Sequence, residues 1–295
     1  MKTILIIKTG AAGDIVRTTV LLNALQGEIT WIADKKYHAI LPAHHPHLKN
    51  IIAPADAVEL LKEKKFDLTI SLEENIECAN LAITIPTNKI IGIYALQNEI
   101  KYTADSSGWF DMSLLSAKGS EYANRIKLEN KLSFQYWLFN MLGLSFNKEE
   151  YCIYKNEIIR TNKKLVGIEK RAGDRWPNKL WGGYDSLIDK ISNRGFEIKI
   201  LSQRDSVKEY LDDIAECSYI ISGDTLAMHA AIAYKKPCLA IFNCTSPSEI
   251  YDYGILKKII NPLLSQAFYK TEFNEQIINA LGVNEVENVF NSLLD

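Results

Sequence analysis

Short apolar runs alternate with amphipathic stretches along almost the whole chain, and this alternation restricts the possible folds more than any other feature. Residues 3–7 are predicted to form a strand, residues 15–25 a helix with one apolar side, and residues 29–33 the next strand. A strand, a helix and a second strand in this order form a βαβ unit, whose strands lie parallel in one sheet. The other strands and helices predicted in the first half lie at 51–52, 56–62, 68–70, 73–82 and 90–94.

The alternation stops at a polar stretch, residues 155–164, which is typical of a linker, and then starts again. Strands are predicted beyond it at 165–168, 196–201, 219–222 and 238–242, and helices at 184–192, 207–214 and 225–234. A chain of 295 residues is about twice the usual length of one domain. We therefore predict an α/β protein of two Rossmann-like domains, residues 1–160 and 161–295, facing each other across a cleft. The prediction leaves open whether the last helix packs against the first domain.

The charge and cysteine content exclude several classes of protein. Thirty-four basic and thirty-six acidic residues give a formal charge of -2, which argues against nucleic acid as a partner. No apolar run is long enough to span a bilayer, and the N-terminus lacks the features of a signal peptide. The five cysteines are scattered, so buried free thiols in a reducing compartment are the simplest account. We expect a cytoplasmic protein.

A long helix is predicted over residues 124–142, with Gly143 as its C-terminal stop. It carries several basic and aromatic side chains. These are Arg125, Lys127, Lys131, Phe134, Tyr136, Trp137 and Phe139. The simpler interpretation is a helix that packs on the core and exposes a solvated basic face. The alternative is a surface that contacts an acceptor or the inner face of a membrane.

The loop after the first strand, residues 8–14, contains two glycines and ends in an acid. Gly10 and Gly13 occupy the second and third glycine positions of a dinucleotide-binding turn, but Lys8 stands in place of the first glycine, which counts against NAD. The alternative is that the glycines let the chain pass close under a substrate. Asp14 then has two open roles: the N-cap of the next helix, or a base that takes a proton from a hydroxyl group.

Two loops of the second half carry groups suited to anions. The segment 171–181 follows a strand and contains Arg171, Arg175 and Lys179, which suit either a phosphate site or a solvated basic loop. At 220–233 a strand leads into a helix that begins near Thr225, where free N–H groups could bind a phosphate or sugar hydroxyls. His229 lies one helical turn after Thr225, so both could face the same ligand. The next strand is followed by a further polar loop, 243–248.

These segments resemble the family 9 glycosyltransferases, the lipopolysaccharide heptosyltransferase group. The matching pieces are the apolar run 4–7 closed by Lys8 and followed by Gly13-Asp14, then Lys179-Leu180-Trp181, Asp224-Thr225 with His229, Lys236-Pro237, and Phe242 with Thr245. The chain departs from the family pattern at Gly182, which replaces a proline, at Leu226, which replaces a glycine, and at Asn243-Cys244, which replace Gly-Pro. The last two departures fall near the expected donor site, so they bear on which nucleotide sugar is used.

The resemblance implies the GT-B fold and inverting, metal-independent transfer of a sugar from a nucleotide-sugar donor, with ADP-heptose favoured, and without a cofactor. The acceptor would be the lipopolysaccharide core or another surface glycan or glycolipid, and the enzyme could touch the inner membrane face. Asp14 would be the general base. The donor-binding residues would be Lys179, Asp224, Thr225, Leu226, Ala227, Met228, His229, Thr245 and Ser246. The acceptor loop would comprise Lys8, Thr9, Gly10, Gly13 and Arg17, and the phosphate loop Arg171 and Arg175.

Several alternatives stay open at this point. A GT-B transferase could use another donor, the protein could bind a nucleotide sugar without catalysis, or it could be an NAD-dependent oxidoreductase. Asp205, after the strand 196–201, is a guess for a ribose contact. His44, His45 and His47 lie together without a nearby cysteine or acid, which is more typical of a surface loop than of a zinc site.

Overall fold

The computed structural model describes residues 1–113 and 118–294 and divides the chain into two compact units. The first unit contains residues 1–126 and 132–154. The second contains residues 127–131 and the chain from residue 155 onward. The chain therefore passes from the first unit to the second after residue 154. The segment 127–131 also belongs to the second unit, and the division predicted from the sequence did not include this.

In the described residues the first unit is built around a six-stranded sheet. Its strands are β1 (Thr3–Ile7), β2 (Glu28–Ile32), β3 (Leu48–Ile52), β4 (Leu68–Ser71), β5 (Ile90–Leu96) and β6 (Glu99–Tyr102). Its α-helices are α1 (Ala12–Thr18), α2 (Val20–Ala24), α3 (Pro54–Leu61), α4 (Ile76–Thr84), α5 (Ser107–Phe110), most of α6 (Ser120–Glu129), and α7 (Phe134–Met141). The sheet order is β3-β2-β1-β4-β5-β6, parallel except that β6 runs antiparallel to β5. The order reverses between β1 and β4, so the loops that follow these two strands diverge there.

The second unit has a five-stranded parallel sheet within the described chain, in the order β11-β10-β9-β7-β8. The strands are β7 (Leu165–Ile168), β8 (Glu197–Ile200), β9 (Tyr219–Gly223), β10 (Cys238–Phe242) and β11 (Leu256–Ile260). The helices are α8 (Tyr184–Ser192), α9 (Val207–Glu216), α10 (Leu226–Ala233), α11 (Leu264–Ala267), α12 (Glu275–Ile278) and α13 (Val283–Asn291). Here the order reverses between β7 and β9. The predicted α/β architecture is confirmed, and β1, β7, α8 and β10 have the predicted bounds.

The predicted helix 15–25 is divided into α1 and α2 at Thr19. The hydroxyl of Thr18 donates to the carbonyl of Asp14 at 2.7 Å, and that of Thr19 donates to the carbonyl of Val16 at 2.5 Å. Threonine hydroxyls that bond back to helix carbonyls compete with the backbone ladder, which explains the interruption. The same Thr19 oxygen accepts a hydrogen bond from the N–H of Cys152 at 2.9 Å.

The single helix predicted over 124–142 is wrong, because α6 ends at Glu129 and α7 begins at Phe134. Ser133 caps α7 by accepting a hydrogen bond from the N–H of Tyr136 at 3.1 Å, and a capping serine starts a new helix rather than continuing an old one. The stop at Gly143 is confirmed, since this glycine has a φ of +68° and follows the last residues of α7.

The expected solvated basic face of that region is also only partly present. The side chain of Lys127 is 9% exposed, and its ammonium lies 3.2 Å from the Glu249 carboxylate, which is 4% exposed. The ammonium also lies 4.5 Å from the centre of the Tyr269 ring. Glu249 and Tyr269 both belong to the second unit, so Lys127 packs with that unit.

The polar stretch 155–164 forms neither helix nor strand, yet hydrogen bonds hold it along the second unit. The side-chain amide of Asn156 donates to Asp212 at 3.2 Å, and the ammonium of Lys236 donates to the hydroxyl of Thr161 at 2.6 Å. The linker is therefore anchored at several points.

The structure contains elements that the sequence analysis did not predict, among them β6, β11, α11 and α12. Helix α13 packs against α8 and β11, where Val286 and Phe290 are fully buried in the core of the second unit. Helix α13 therefore buries apolar side chains within the second unit.

All five cysteines are free, and four of them are buried while Cys152 is half-buried. Burial is the largest influence on the thiols of Cys217 and Cys244, and it raises the pKa of each to about 12. The expectation of buried free thiols is confirmed for these four positions. None of the helices in the described part of the chain is long and apolar enough to cross a bilayer.

The packing of α13 leads to a stability prediction. Phe290→Ala should lower the free energy of unfolding of the second unit by about 3–5 kcal/mol, because it leaves a cavity in a fully buried site. Denaturant titration measures this loss. Phe273→Ala, at a side chain that is 56% exposed, is the matched control and should change stability little. Equal losses from both variants would contradict the assigned packing.

Candidate functional site

Two loops of the first unit begin where its strand order reverses: residues 8–11 after β1 and residues 72–75 after β4. Glu73 joins them with one oxygen, Oε2. This atom accepts hydrogen bonds from the Lys8 ammonium at 2.9 Å, from the N–H of Thr9 at 3.1 Å and from the N–H of Gly10 at 3.1 Å. A single carboxylate oxygen therefore binds both backbone donors of the loop and its cation. The analysis of the sequence missed Glu73, because its contact with Lys8 spans 65 residues and no local motif marks it.

This arrangement bears on the predicted dinucleotide turn. The N–H groups of Thr9 and Gly10, which would have to receive a pyrophosphate, are already bonded to Glu73. Gly13 is the second residue of α1 rather than part of the loop. A pyrophosphate would have to displace a carboxylate of its own charge sign, which argues against NAD binding at this position.

Asp14 is not the N-cap of α1, contrary to one of its two predicted roles. Ala11 holds the N-cap position, and Asp14 is the third residue of the helix. Its carboxylate lies 2.9 Å from the Arg17 guanidinium and 3.7 Å from the Lys8 ammonium, and its side chain is 39% exposed. Asp14 is thus a solvent-reaching carboxylate between two cations in the first turn of a helix, where the helix dipole favours a negative charge.

Arg17 is held by aromatic rings as well as by Asp14. Its guanidinium carbon lies 4.0 Å from the centre of the Phe134 ring and 5.5 Å from that of Trp109, and the side chain is 14% exposed. Cation–π contacts of this kind orient a guanidinium without using up its N–H donors. The predicted acceptor-loop residues Lys8 and Arg17 therefore lie on either side of Asp14.

The second unit places a similar pair at its own reversal point, between β7 and β9. Lys179 ends a short 3-10 helix, Pro177–Lys179, in the connection after β7. Its ammonium donates to the carbonyl of Asp224 at 2.6 Å and to the carboxylate of Asp224 at 3.1 Å. A Cβ at position 223 would lie 3.1 Å from the carbonyl oxygen of Lys179, so a larger residue there would require a small shift of this loop. The side chains of Lys179 and Asp224 are 17% and 16% exposed.

Helix α10 begins next to this pair, with Thr225 as its N-cap. The Thr225 hydroxyl oxygen accepts from the N–H of Ala227 at 3.2 Å and shares a hydrogen bond of 2.7 Å with Ser222. Ala227 and Met228 are fully buried, so their side chains belong to the core and only backbone N–H groups there could reach a ligand. Leu226 is half-buried at the start of the helix.

His229 is buried beside Asp224. Its side chain is 6% exposed, and its Nε2 is 3.7 Å from the Asp224 carboxylate. Asp224 therefore has Lys179 on one side and His229 on the other. The structure brings together three of the predicted donor-binding residues in one polar cluster.

Thr245 and Ser246 follow β10 and are buried, with 2% and 4% exposure. The Thr245 hydroxyl has no hydrogen-bond partner within the described residues, whereas the N–H of Ser246 donates to the hydroxyl of Tyr269 at 3.4 Å. Asn243 stands where the resemblance predicts glycine, and its side chain links two neighbouring segments by hydrogen bonds. Its amide nitrogen donates to the carbonyl of Leu180, and its oxygen accepts from Asn261 at 2.9 Å.

The two arginines that we predicted for a phosphate loop have different surroundings. Arg171 donates from Nε and Nη2 to the buried carboxylate of Glu169, at 2.9 and 2.6 Å, so most of its guanidinium is committed. Glu169 also accepts from the hydroxyl of Tyr210 at 2.6 Å. Arg175 lies apart from this group, with its guanidinium carbon 5.2 Å from the centre of the Trp176 ring.

The remaining predicted positions do not join either cluster. Asp205 is exposed in the loop after β8. His45 and His47 contact each other and hydrogen-bond Asn23 and the carbonyl of Gly27; burial and His47 lower the pKa of His45. Within residues 1–113 and 118–294, no group of three or more histidine, cysteine, aspartate or glutamate side chains could hold a metal ion.

Two α/β units, each with a reversal point in its sheet, together with the similarity to solved glycosyltransferase structures, identify the GT-B fold. The solved structures that the chain is similar to include a glycosyl transferase of family 9 from Veillonella parvula, with 16% identity, a TM-score of 0.66, and coverage of 99% of this chain and 97% of that one. The heptosyltransferase WaaC of E. coli, solved with ADP-2-deoxy-2-fluoro heptose, is 16% identical over 98% of this chain and 99% of that one, with a TM-score of 0.65.

The ADP-heptose lps heptosyltransferase II of E. coli is 13% identical over 100% of this chain and 98% of that one, with a TM-score of 0.65. No family profile and no curated protein sequence matches the chain. At this level of identity the similarity establishes the fold.

The buried group around Glu169 gives a prediction for the second unit. Tyr210→Phe should lower the free energy of unfolding by roughly 1.5–3 kcal/mol, because it removes a hydrogen bond to a buried carboxylate. Thermal and denaturant unfolding measure the change. Tyr136→Phe, at a residue that is 40% exposed, serves as the control and should be close to neutral. A neutral Tyr210→Phe would mean that the hydroxyl contributes no stabilising bond.

Proposed function

We propose that the chain is a glycosyltransferase that moves a sugar from a nucleotide-sugar donor to a surface-glycan acceptor. The observation that carries the proposal is the fold shared with heptosyltransferases over nearly the whole chain, combined with a carboxylate at one reversal point and a lysine at the other. In open α/β sheets such reversal points are where ligands bind. Each unit would supply one half of the chemistry.

The second unit would bind the donor. A diphosphate at the start of α10 would meet the Lys179 ammonium and the positive end of the helix dipole. It would compete with the Asp224 carboxylate for Lys179, and Asp224 would then be released to accept hydrogen bonds from sugar hydroxyls. The buried hydroxyl of Thr245 and the side chain of Ser246 would support the same loop region.

The first unit would activate the acceptor. Asp14 would accept the proton of the acceptor hydroxyl as its oxygen attacks the anomeric carbon of the donor sugar. The new bond joins this oxygen to the anomeric carbon, the bond from that carbon to the phosphate oxygen breaks, and the electron pair leaves on the diphosphate. One displacement from the opposite side inverts the anomeric configuration.

We propose a metal-independent reaction, because Lys179 and the N–H groups of α10 can meet the negative charge that develops on the leaving diphosphate. ADP-heptose is the favoured donor, supported by the ADP-sugar chemistry of the structurally similar E. coli enzymes. The side chains of Leu226 and Asn243 lie where the family pattern has small residues, so another donor of the same class is the main alternative. The acceptor would be the lipopolysaccharide core or a related glycolipid at the inner membrane face.

An NAD-dependent oxidoreductase is a weaker alternative. The carboxylate of Glu73 is bonded to the two N–H groups that a dinucleotide would need. A nucleotide-sugar-binding protein without catalysis would have no use for a solvent-reaching carboxylate flanked by two cations.

Donor binding can be tested by thermal shift with ADP and with other nucleoside diphosphates. ADP should stabilise the native protein, and Lys179→Ala should weaken its affinity ten- to hundredfold, because one charge-assisted hydrogen bond to phosphate is lost. Lys190→Ala, whose partner Glu287 lies in α13, is the matched control and should keep the affinity of the native protein. Stabilisation by NAD(P) alone would overturn the proposal.

The base can be tested with Asp14→Asn. Turnover with ADP-heptose and a de-acylated lipopolysaccharide core acceptor should fall by roughly 10²- to 10⁴-fold, since asparagine cannot accept the proton. The affinity for ADP should stay unchanged. The anomeric configuration of the product, read by proton NMR, should be inverted. Undiminished turnover in Asp14→Asn would exclude this residue as the base, and EDTA-sensitive turnover would exclude metal independence.

A further inference from the structure

We propose that Glu73 is a positioning residue for the reaction: it holds the Lys8 ammonium at a set distance from Asp14 and so keeps the Asp14 carboxylate oriented towards its substrate. This inference rests on the proposed function, because it assigns Asp14 the role of base. It adds a residue that the sequence pattern did not mark, and it acts through Lys8 rather than on the substrate.

The geometry around Lys8 leaves its side chain little freedom. Its N–H donates to the carbonyl of Ile32 at 3.1 Å, and its own carbonyl accepts from the indole N–H of Trp31 at 3.1 Å. The side chain is 10% exposed. The backbone is thus fixed by the neighbouring strand β2, and the ammonium lies between two carboxylates, those of Glu73 and Asp14.

The distances from the Lys8 ammonium to Glu73 and to Asp14 determine which carboxylate receives its hydrogen bond. The Lys8 ammonium is 2.9 Å from Glu73, within hydrogen-bond distance, but 3.7 Å from Asp14, beyond it. Lys8 therefore acts on Asp14 through its electric field while its hydrogen bond goes to Glu73. Arg17 contacts Oδ1 of Asp14 at 2.9 Å, whereas Lys8 faces Oδ2. Without the negative charge of Glu73, the ammonium would move from 3.7 Å to hydrogen-bond distance of Oδ2 and compete there with the acceptor hydroxyl.

Glu73 is itself fixed by its neighbours in the loop after β4. Glu74 accepts hydrogen bonds from the hydroxyl of Tyr102 at 3.1 Å and from the hydroxyl of Ser113. Asn75 caps α4 by accepting from the N–H of Cys78 at 2.8 Å. The residues next to Glu73 are thus tied to three different parts of the first unit. Such support makes the position of the Glu73 carboxylate a property of the scaffold.

The decisive variant is Glu73→Gln. Its amide oxygen can still accept from the N–H groups of Thr9 and Gly10, so the loop is kept, but the charge that holds Lys8 is lost. We expect kcat to fall at least tenfold, with KM for the donor within twofold of the native value. Glu73→Asp should recover part of this loss, because it restores the charge on a shorter side chain. Glu77→Gln, at an exposed residue in the first turn of the following helix α4, is the control and should match the native enzyme.

A double-mutant cycle with Lys8→Met tests the route of the effect. If Glu73 acts through Lys8, then Glu73→Gln should change kcat by less than twofold in the Lys8→Met background. Hydrogen exchange of the Thr9 and Gly10 amides reports on the loop. Protection should persist in Glu73→Gln and fall at least tenfold in Glu73→Ala.

The outcomes separate the two proposals. An active native enzyme whose Glu73→Gln variant is equally active overturns the positioning role and leaves the transferase proposal intact. Full additivity of Glu73→Gln and Lys8→Met overturns the route through Lys8. A native enzyme that transfers no sugar from any nucleotide donor tested overturns the proposed function, and the positioning role falls with it.

Discussion

The reversal of strand order in each sheet is the constraint on which the rest of the structure depends. Where two neighbouring strands send their connections in opposite directions, the loops at their carboxyl ends separate and leave room for a ligand. In the first unit this happens between β1 and β4, and in the second between β7 and β9. Every charged cluster that we assign to chemistry lies at one of these two points, although the residues come from loops far apart in the sequence.

The two reversal points share a physical design. Each holds a lysine from the loop of one strand against a carboxylate from the loop of the other: Lys8 with Glu73, and Lys179 with Asp224. All four side chains are mostly buried, so neither charge could be kept there without its partner at acceptable cost. Pairing orients the lysine before a ligand arrives. An anionic ligand can then exchange with the carboxylate at Lys179, whereas at Lys8 the backbone bonds to Glu73 resist such an exchange.

The fold was largely predictable from the sequence, because apolar strands and amphipathic helices have distinct periods. The bounds of β1 and α8 came out as predicted, but the helix over 124–142 did not. Its break depends on a capping serine, Ser133, within an otherwise helical composition. The site was predictable only where a motif marked it. Asp14 and Lys179 fall in recognisable patterns. Glu73, in contrast, contacts Lys8 across a separation of 65 residues in the sequence. A contact of this kind has no local signature.

The short segment 127–131 limits how the chain can be divided. It follows the bulk of the first unit in sequence yet packs in the second, with the Lys127 ammonium beside the Glu249 carboxylate at a site from which water is largely excluded. A fragment that starts after residue 154 would lack this lysine, so the Glu249 carboxylate would lose its buried ion-pair partner. The second unit thus contains a piece of chain that a cut at the linker would leave behind, so the two units do not correspond to two consecutive pieces of polypeptide.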